Sequence, residues 1–105
     1  MELTLFWTDF SQRELINIYE YYREKAGVRV AKKLVKEIYD ETLKLKNQPQ
    51  IGQEEELLEN RKQEFRYLVY KNYKIIYWIN SKQNRIEIMD VFETHQQPEK
   101  IKRTK

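Results

Sequence analysis

The chain of 105 residues contains no cysteine, one histidine, two glycines and two prolines. Without cysteine it cannot form disulfides, thiolate nucleophiles, Cys-ligated zinc sites or iron–sulfur clusters. A single histidine excludes two-histidine zinc motifs, and two scattered glycines exclude a Gly-rich phosphate-binding loop. No apolar run approaches the roughly 18 residues of a membrane span, and no signal-peptide pattern is present at the start. We therefore expect a cytoplasmic protein that uses neither a metal nor another cofactor.

Charge is distributed unevenly along the chain. Residues 1–59 carry nine lysines and arginines against twelve acidic residues, whereas residues 60–105 carry eleven against five. The net charge therefore changes from −3 in the first part to +6 in the second. A basic C-terminal half indicates an anionic partner, either nucleic acid or an acidic protein segment, although lysine-rich surfaces also serve solubility.

The first part of the chain predicts a short strand followed by a helix. Residues 3–7 are apolar and β-favouring, which is typical of a strand. Thr8 with Asp9 is one candidate helix cap, and Ser11, which begins an S-x-x-E pattern, is a second. Gly27 is placed to end the helix, since glycine adopts the left-handed conformation without a Cβ penalty. Apolar residues between the caps recur at helical spacing on one face: Leu15, Ile18, Tyr19, Tyr22 and Ala26.

A second helix follows at once, so the two form an antiparallel hairpin. Pro49 disfavours helix in the residue before it and ends this segment. Residues 53–62 predict a loop, with one helical turn that holds Leu57 and Leu58 against the body of the protein. The buried stripe of the second helix again has helical spacing: Ala31, Leu34, Val35, Ile38, Thr42 and Leu45.

From Glu64 the apolar period changes to two, which predicts three strands. The tight turn Lys71-Asn72 joins the first two, and the polar residues 81–84 lead to the third. Because their connections are short, the three strands form an antiparallel meander. A sheet this apolar would aggregate if both faces were bare, so the helical hairpin must cover one of them.

These elements predict an α+β fold of order β-α-α-β-β-β, in which an antiparallel sheet packs on an antiparallel two-helix hairpin. We expect residues 1–95 to form a single domain. Residues 96–105 then form a basic C-terminal tail surrounded by solvent.

Several short motifs occur together in an order that resembles a known family. They are Trp7 before the first helix, Ile18-Tyr19-x-x-Tyr22, Gln48-Pro49-x-x-Gly52, the strand segments 65–70 and 73–77, and Val91-Phe92 before Gln97-Pro98. Over residues 3–98 the chain is similar to the RelE/ParE superfamily of toxins from bacterial type II toxin–antitoxin systems, which include plasmid-stabilisation systems. The resemblance implies that the N-terminal strand joins the sheet beside the meander, and that a cognate antitoxin neutralises the protein.

The superfamily has two activities, and the resemblance alone implies either. ParE-like members inhibit DNA gyrase, whereas RelE-like members are metal-independent endoribonucleases that cut mRNA on the ribosome. The longer hairpin, the loop containing Pro49 and Gly52, and the net negative first half favour the ParE-like activity, because an enzyme that works among ribosomal RNA is expected to be basic. We therefore expect a gyrase inhibitor without catalytic residues. The alternatives are a RelE-like nuclease and a non-toxic antitoxin-binding module.

The nuclease alternative assigns roles to four residues. Metal-free RNA cleavage needs convergent groups that move protons and stabilise the charged phosphate. The resemblance then implies Arg66 for phosphate stabilisation and His95 for proton transfer, with Lys74 and Arg85 as auxiliary positive charges. In the structural interpretation, Arg66 is a strand arginine paired with a neighbouring carboxylate, Asp90 or Glu64, and the histidine is an exposed polar residue.

Antitoxins of this superfamily wrap an otherwise disordered segment over the toxin, which requires an apolar groove. The candidate groove residues are Tyr19, Tyr22 and Tyr39 on the hairpin, with Leu57 and Leu58 near its end. Their alternative role is plain core between the hairpin and the sheet. A charged residue at position 22 is expected to weaken antitoxin binding without unfolding the protein, if this tyrosine lines the groove.

Overall fold

The computed structural model of the chain describes residues 3–58, 61–94 and 103. These residues form two α-helices and five strands, with a single 3-10 turn after α2 and another after β2. Within them, neither helix has the length and hydrophobicity that a membrane span requires. In chain order the elements are β1 (Thr4–Trp7), α1 (Asp9–Ala26), α2 (Val28–Leu43), β2 (Gln53–Glu54), β3 (Arg66–Tyr70), β4 (Tyr73–Asn80) and β5 (Arg85–Glu93).

The predicted helical hairpin is confirmed, and a cap and a glycine fix its boundaries. Thr8 caps α1, because its Oγ1 accepts a hydrogen bond from the amide of Ser11 at 3.1 Å. Gly27 has a φ of 99°, which strains any residue with a Cβ. Its amide donates to the carbonyls of Tyr22 and Arg23, and its own carbonyl accepts from Ala31 at the start of α2. One residue therefore ends the first helix and begins the second.

The five strands form one sheet of order β1-β5-β4-β3-β2. The α+β class and the antiparallel meander β3–β4–β5 are confirmed. Two features differ from the prediction: β1 pairs with β5 in parallel, and residues 53–54, expected in a loop, pair with β3 as β2. Two residues are too few to show a period of two. The unexpected strand adds one reversal of chain direction between the hairpin and the meander. As a result, β5 runs in the same direction as β1.

Both faces of the sheet are packed, although the helices cover only one. Ile75 and Ile76 are neighbours in β4 but belong to different clusters, because successive strand residues point to opposite faces. The hairpin face holds the larger cluster of buried side chains: Leu34, Ile38, Leu45, Leu68, Tyr73, Ile75, Tyr77, Ile86, Ile88 and Val91. The opposite face, which we call the second face, holds a smaller cluster: Leu58, Phe65, Ile76 and Phe92.

Candidate partner-binding site

An apolar groove lies on the outer surface of the hairpin, between α1 and α2, at the end of the hairpin next to β1. It encloses about 420 Å³, and none of its lining side chains is charged. Ile16 and Tyr39 are 57% and 41% exposed, so the groove presents apolar surface that another segment can cover. We call it the hairpin groove, and its lining residues are Trp7, Gln12, Leu15, Ile16, Tyr19, Val35 and Tyr39.

Trp7 forms the wall of the hairpin groove nearest the sheet. The indole stacks on the ring of Tyr39, with centroids 6.1 Å apart and planes inclined by 28°. Gln12 holds the backbone here, because its Nε2 donates to the carbonyl of Trp7 at 2.8 Å. The indole Nε1 is buried and has no hydrogen-bond partner among the described residues. An unpaired buried donor costs about 1–3 kcal/mol, so the indole itself is held by packing, whereas the backbone of Trp7 is held by the hydrogen bond from Gln12.

Tyr22 lies outside the hairpin groove. It lines a second cavity, of about 360 Å³, at the opposite end of the hairpin, together with Leu34 and the β3–β4 turn. The hydroxyl of Tyr73 donates to that of Tyr22 at 3.3 Å, and burial together with this bond raises the pKa of Tyr73 above its usual range. Tyr22 also packs against the hairpin-face core. A charge at position 22 is therefore expected to disturb the core.

The bond between Tyr70 and Glu37, beside this second cavity, gives a prediction for alkaline pH. Tyr70 Oη donates to Glu37 Oε1 at 2.6 Å, which raises the pKa of Tyr70 to about 12. An unfolded tyrosine ionises near pH 10, so the stability contributed by this bond is present below about pH 10 and lost between about pH 10 and 12. Replacing Glu37 with glutamine is expected to lower the Tyr70 titration midpoint toward 10. Tyrosinate absorbance, taken as the difference from a Tyr70→Phe protein, measures that midpoint, and an unchanged midpoint would contradict the assignment.

The two adjacent leucines have opposite environments. Leu58 is 1% exposed and belongs to the second-face core, whereas Leu57 is 52% exposed. The 3-10 turn Glu56–Leu58 agrees with the predicted helical turn. Within this turn the two leucine side chains point to different surroundings. Of this pair, only Leu57 presents a surface that a partner can reach.

Arg66 is held in an ion-paired network at the start of β3. Its Nη1 donates to the carbonyl of Gly52 at 2.9 Å, and its Nη2 donates to Glu64 at 3.0 Å. Glu54 Oε1 lies 3.8 Å from the same Nη2. The structure thus provides the pairing with Glu64 that the structural interpretation expects, while Asp90 is bound by Arg103 instead. This network fastens the loop before β2 to the sheet.

Lys74 and Arg85 are also paired with carboxylates. Lys74 Nζ lies 2.5 Å from Glu55 Oε2, and the ammonium sits 4.1 Å from the centroid of the Tyr67 ring. Arg85 Nε donates to Glu87 Oε2 at 2.7 Å. Neither cation is left without a counter-charge in this structure.

The four residues named for the nuclease alternative do not form one described cluster. The register of β3 and β4 directs Arg66 toward the hairpin face, whereas Lys74 and Arg85 belong to the second face. Arg85 is paired with Asn80, six residues along β4 from Lys74, which separates the two cations by about 20 Å. His95 lies outside the described residues. In the described part of the chain, no group of acidic and histidine side chains is arranged to hold a metal ion.

Comparison with known families decides which proteins the chain resembles. A family model for the ParE toxin of the parDE type II toxin–antitoxin system matches residues 5–98. The chain belongs to the ParE toxin family. A search of curated proteins gives no match. The family membership confirms the superfamily that the sequence motifs indicated and identifies the chain as a type II toxin.

Solved structures share the fold of this ParE-family chain at low sequence identity. A chromosomal ParDE system from P. aeruginosa superposes with a TM-score of 0.72 and 19% identity, covering 88% of this chain and 96% of that one. The RelBE2 toxin–antitoxin complex from Mycobacterium tuberculosis gives 0.54 and 17%, covering 89% and 99%. A free mutant of the E. coli toxin RelE gives 0.51 and 17%, covering 98% of each chain. These likenesses establish the fold.

Two of the residues that line the hairpin groove of this ParE-family chain, Tyr19 and Tyr39, are site candidates predicted from the sequence. Trp7, predicted only as a strand residue and a family motif, and Ile16 are not among those candidates. A signal for Ile16 was available, because it is an apolar residue beside the buried stripe of α1 and three positions before Tyr19. An apolar residue outside the stripe of an amphipathic helix indicates a second apolar surface.

Proposed function

We propose that this ParE-family toxin inhibits DNA gyrase and that a cognate antitoxin neutralises it. The family model supports the choice, because it describes ParE toxins over residues 5–98. The observation that carries the proposal is the dispersal of Arg66, Lys74 and Arg85 over two faces of the sheet, each beside a carboxylate. Among the described residues, these cations make no shared anion site.

A ribonuclease needs the opposite arrangement. Stabilising a pentacoordinate phosphate requires donors that converge within hydrogen-bond distance of one position and carry charge not already neutralised. Here Glu64, Glu55 and Glu87 lie within 3.0 Å of the three candidate cations and repel a phosphate. Inhibition of a protein target needs only a stable surface. The two packed clusters stabilise the fold that carries such a surface.

Assays with purified components separate the three functions. The chain is added to DNA gyrase with relaxed plasmid, and in parallel to a cell-free translation reaction. We expect loss of supercoiling with intact mRNA. Cleaved mRNA with normal supercoiling would overturn the proposal in favour of the RelE-like nuclease. Normal results in both reactions would overturn it in favour of the non-toxic binding module.

We propose the hairpin groove as the antitoxin contact. The groove is apolar and uncharged, and the same two helices carry exposed charged residues outside it, among them Glu20, Arg23, Lys36 and Asp40. An amphipathic helix that places apolar residues at i, i+3 and i+4 against this surface, with polar residues toward its rim, matches that pattern. The partner is therefore a segment that folds as it binds, as expected for an antitoxin tail that is disordered alone.

A substitution in this groove is expected to separate binding from folding. Tyr39→Asp places a charge on the most exposed aromatic residue of the groove and is expected to weaken antitoxin affinity at least about tenfold, while the helical circular dichroism is unchanged. Tyr21→Asp is the matched control, because Tyr21 is an exposed tyrosine on α1 outside the hairpin groove. Titration calorimetry with the antitoxin measures both variants. Equal affinities for the two would contradict the groove assignment.

A further inference from the structure

Asp90 in β5 is a carboxylate with no solvent exposure on the second face of the sheet. Both of its oxygens accept hydrogen bonds from Arg103, from Nε at 2.8 Å and from Nη2 at 2.9 Å. This two-point contact matches the planar fork of a guanidinium, and a lysine ammonium cannot reproduce it. The residue at position 103 lies within the segment that the sequence predicted to be a solvated tail, yet it contacts the most buried carboxylate among the residues that the structure describes.

Two aromatic rings and a second carboxylate complete the surroundings of this guanidinium. Its central carbon lies 5.0 Å from the ring centroid of Phe10 and 5.8 Å from that of Phe92. These distances are within the range of about 6 Å over which a cation is attracted to an aromatic face. Glu14 Oε1, from α1, lies 3.6 Å from Nη2. Groups from a helix and a strand therefore surround a single cation.

The residues that contact the Arg103 guanidinium are positioned by the fold and not by Arg103 itself. Asp90 and Phe92 lie in the second half of β5, which pairs with β4 beyond the last residue paired with β1, and Glu14 is in the second turn of α1. A carboxylate without solvent is strongly disfavoured unless a cation and its hydrogen bonds compensate it. The site therefore requires a cation whenever Asp90 is ionised.

We infer that Asp90 and Phe92 of β5 and Phe10 and Glu14 of α1 form a guanidinium-binding site between these two elements, and that the chain's own Arg103 is its ligand. The contact fastens residue 103 to β5. The class of ligand is an alkylguanidinium: the arginine side chain in the intact protein, or a small guanidinium when that side chain is removed. This inference is independent of the gyrase proposal.

Thermal unfolding of three variants tests the pairing. Arg103→Gln leaves Asp90 buried without its cation, and the midpoint is expected to fall by at least about 10 °C. The double variant Asp90→Asn with Arg103→Gln removes both charges and is expected to recover at least about half of that loss. Arg23→Gln is the matched control, since its ion pair with Glu20 is solvent-exposed, and a shift below about 3 °C is expected. A loss no larger for Arg103→Gln than for Arg23→Gln would overturn the inference.

Chemical rescue tests the ligand class. Methylguanidinium at millimolar concentration is expected to raise the unfolding midpoint of Arg103→Ala but not that of Arg103→Ala combined with Asp90→Asn. Methylammonium, which has the same charge without the planar fork, is the control and is expected to be less effective. Equal responses of the two variants to methylguanidinium would overturn the assigned ligand.

A measurement on the unsubstituted chain covers the case in which these variants do not fold. The Nε–Hε proton of Arg103 donates to a buried carboxylate, so its exchange with solvent is expected to be at least about tenfold slower than that of Arg23. The side-chain cross-peaks are assigned by comparison with Arg103→Lys and Arg23→Lys. Exchange as fast as that of Arg23 would overturn the inference.

Discussion

Replacing Leu58 with alanine is expected to lower the free energy of unfolding by about 2–5 kcal/mol, whereas the same change at Leu57 is expected to alter it by less than about 0.5 kcal/mol. Leu58 packs with Phe65, Ile76 and Phe92 in the second-face core, so truncation leaves a cavity. Its neighbour is half exposed and loses few contacts. Urea unfolding of both variants at one pH measures the difference.

This leucine pair tests whether the second face is a true core. The two residues are adjacent and chemically identical, so helix propensity, unfolded-state effects and chain entropy are nearly the same for both. Only burial distinguishes them. A cost below about 1 kcal/mol for Leu58→Ala would show that the second-face cluster is not packed as described.

Removing the hydroxyl of Tyr77 is expected to destabilise the protein by about 2–4 kcal/mol, because one buried and one part-buried backbone group lose their partner. The hydroxyl donates to the carbonyl of Pro49 at 2.8 Å and accepts from the amide of Gly52 at 2.9 Å. Tyr77 itself is fully buried, and burial raises its pKa. Urea unfolding of Tyr77→Phe measures the loss. Phe at this position fills the same space, so the effect reports the hydrogen bonds rather than a cavity.

Gly52→Ala provides the internal check on this arrangement. An added Cβ would lie 2.5 Å from the Tyr77 hydroxyl and 2.7 Å from the carbonyl oxygen of Tyr67, so the variant alone is expected to be strongly destabilised. In the Tyr77→Phe background the clash with the hydroxyl disappears, whereas the clashes with the Tyr67 carbonyl and with the Cε1 of the ring, also at 2.7 Å, remain. The added cost of Gly52→Ala is therefore expected to be smaller there, but not zero. Strict additivity of the two substitutions would contradict the described contact.

The helical part of the fold could be predicted because its signals are local. A cap at Thr8, a glycine at position 27 and two apolar stripes at helical spacing each act within a few residues. The motif that links Pro49 to Gly52 has a physical explanation that only the structure provides. The Tyr77 hydroxyl from a distant strand joins both backbone groups, and a Cβ does not fit beside it.

The parts of the sheet that were not predicted depend on contacts distant in sequence. β2 has two residues and exists because Gln53 and Glu54 pair with Tyr67 and Arg66, which no periodicity in the loop indicates. Without this strand, the chain reverses its direction an odd number of times between β1 and β5, which implies antiparallel strands. The parallel pairing of β1 with β5 could therefore not be deduced. A strand this short is defined by its partner and not by its own composition.

The candidate site was predicted in part for the same reason. Tyr19 and Tyr39 could be proposed from the sequence because the family resemblance implies an apolar groove, and tyrosines on the hairpin are suited to line one. Strand register places Lys74 on the second face, far from Arg85 and on the face opposite to that of Arg66. The sequence alone does not give this register. The contact of Arg103 with Asp90 joins the end of the chain to a central strand, and a basic tail gives no sign of it.

Pulse-labelling of DNA and protein synthesis after tightly controlled induction of the chain in a bacterium tests the central proposal most directly. If the toxin acts on gyrase, DNA synthesis is expected to fail first, with an SOS response and filamentation, while protein synthesis continues. Arrest of protein synthesis before DNA synthesis would contradict the gyrase proposal and support the nuclease, for which Arg66→Ala and His95→Ala then become the decisive variants.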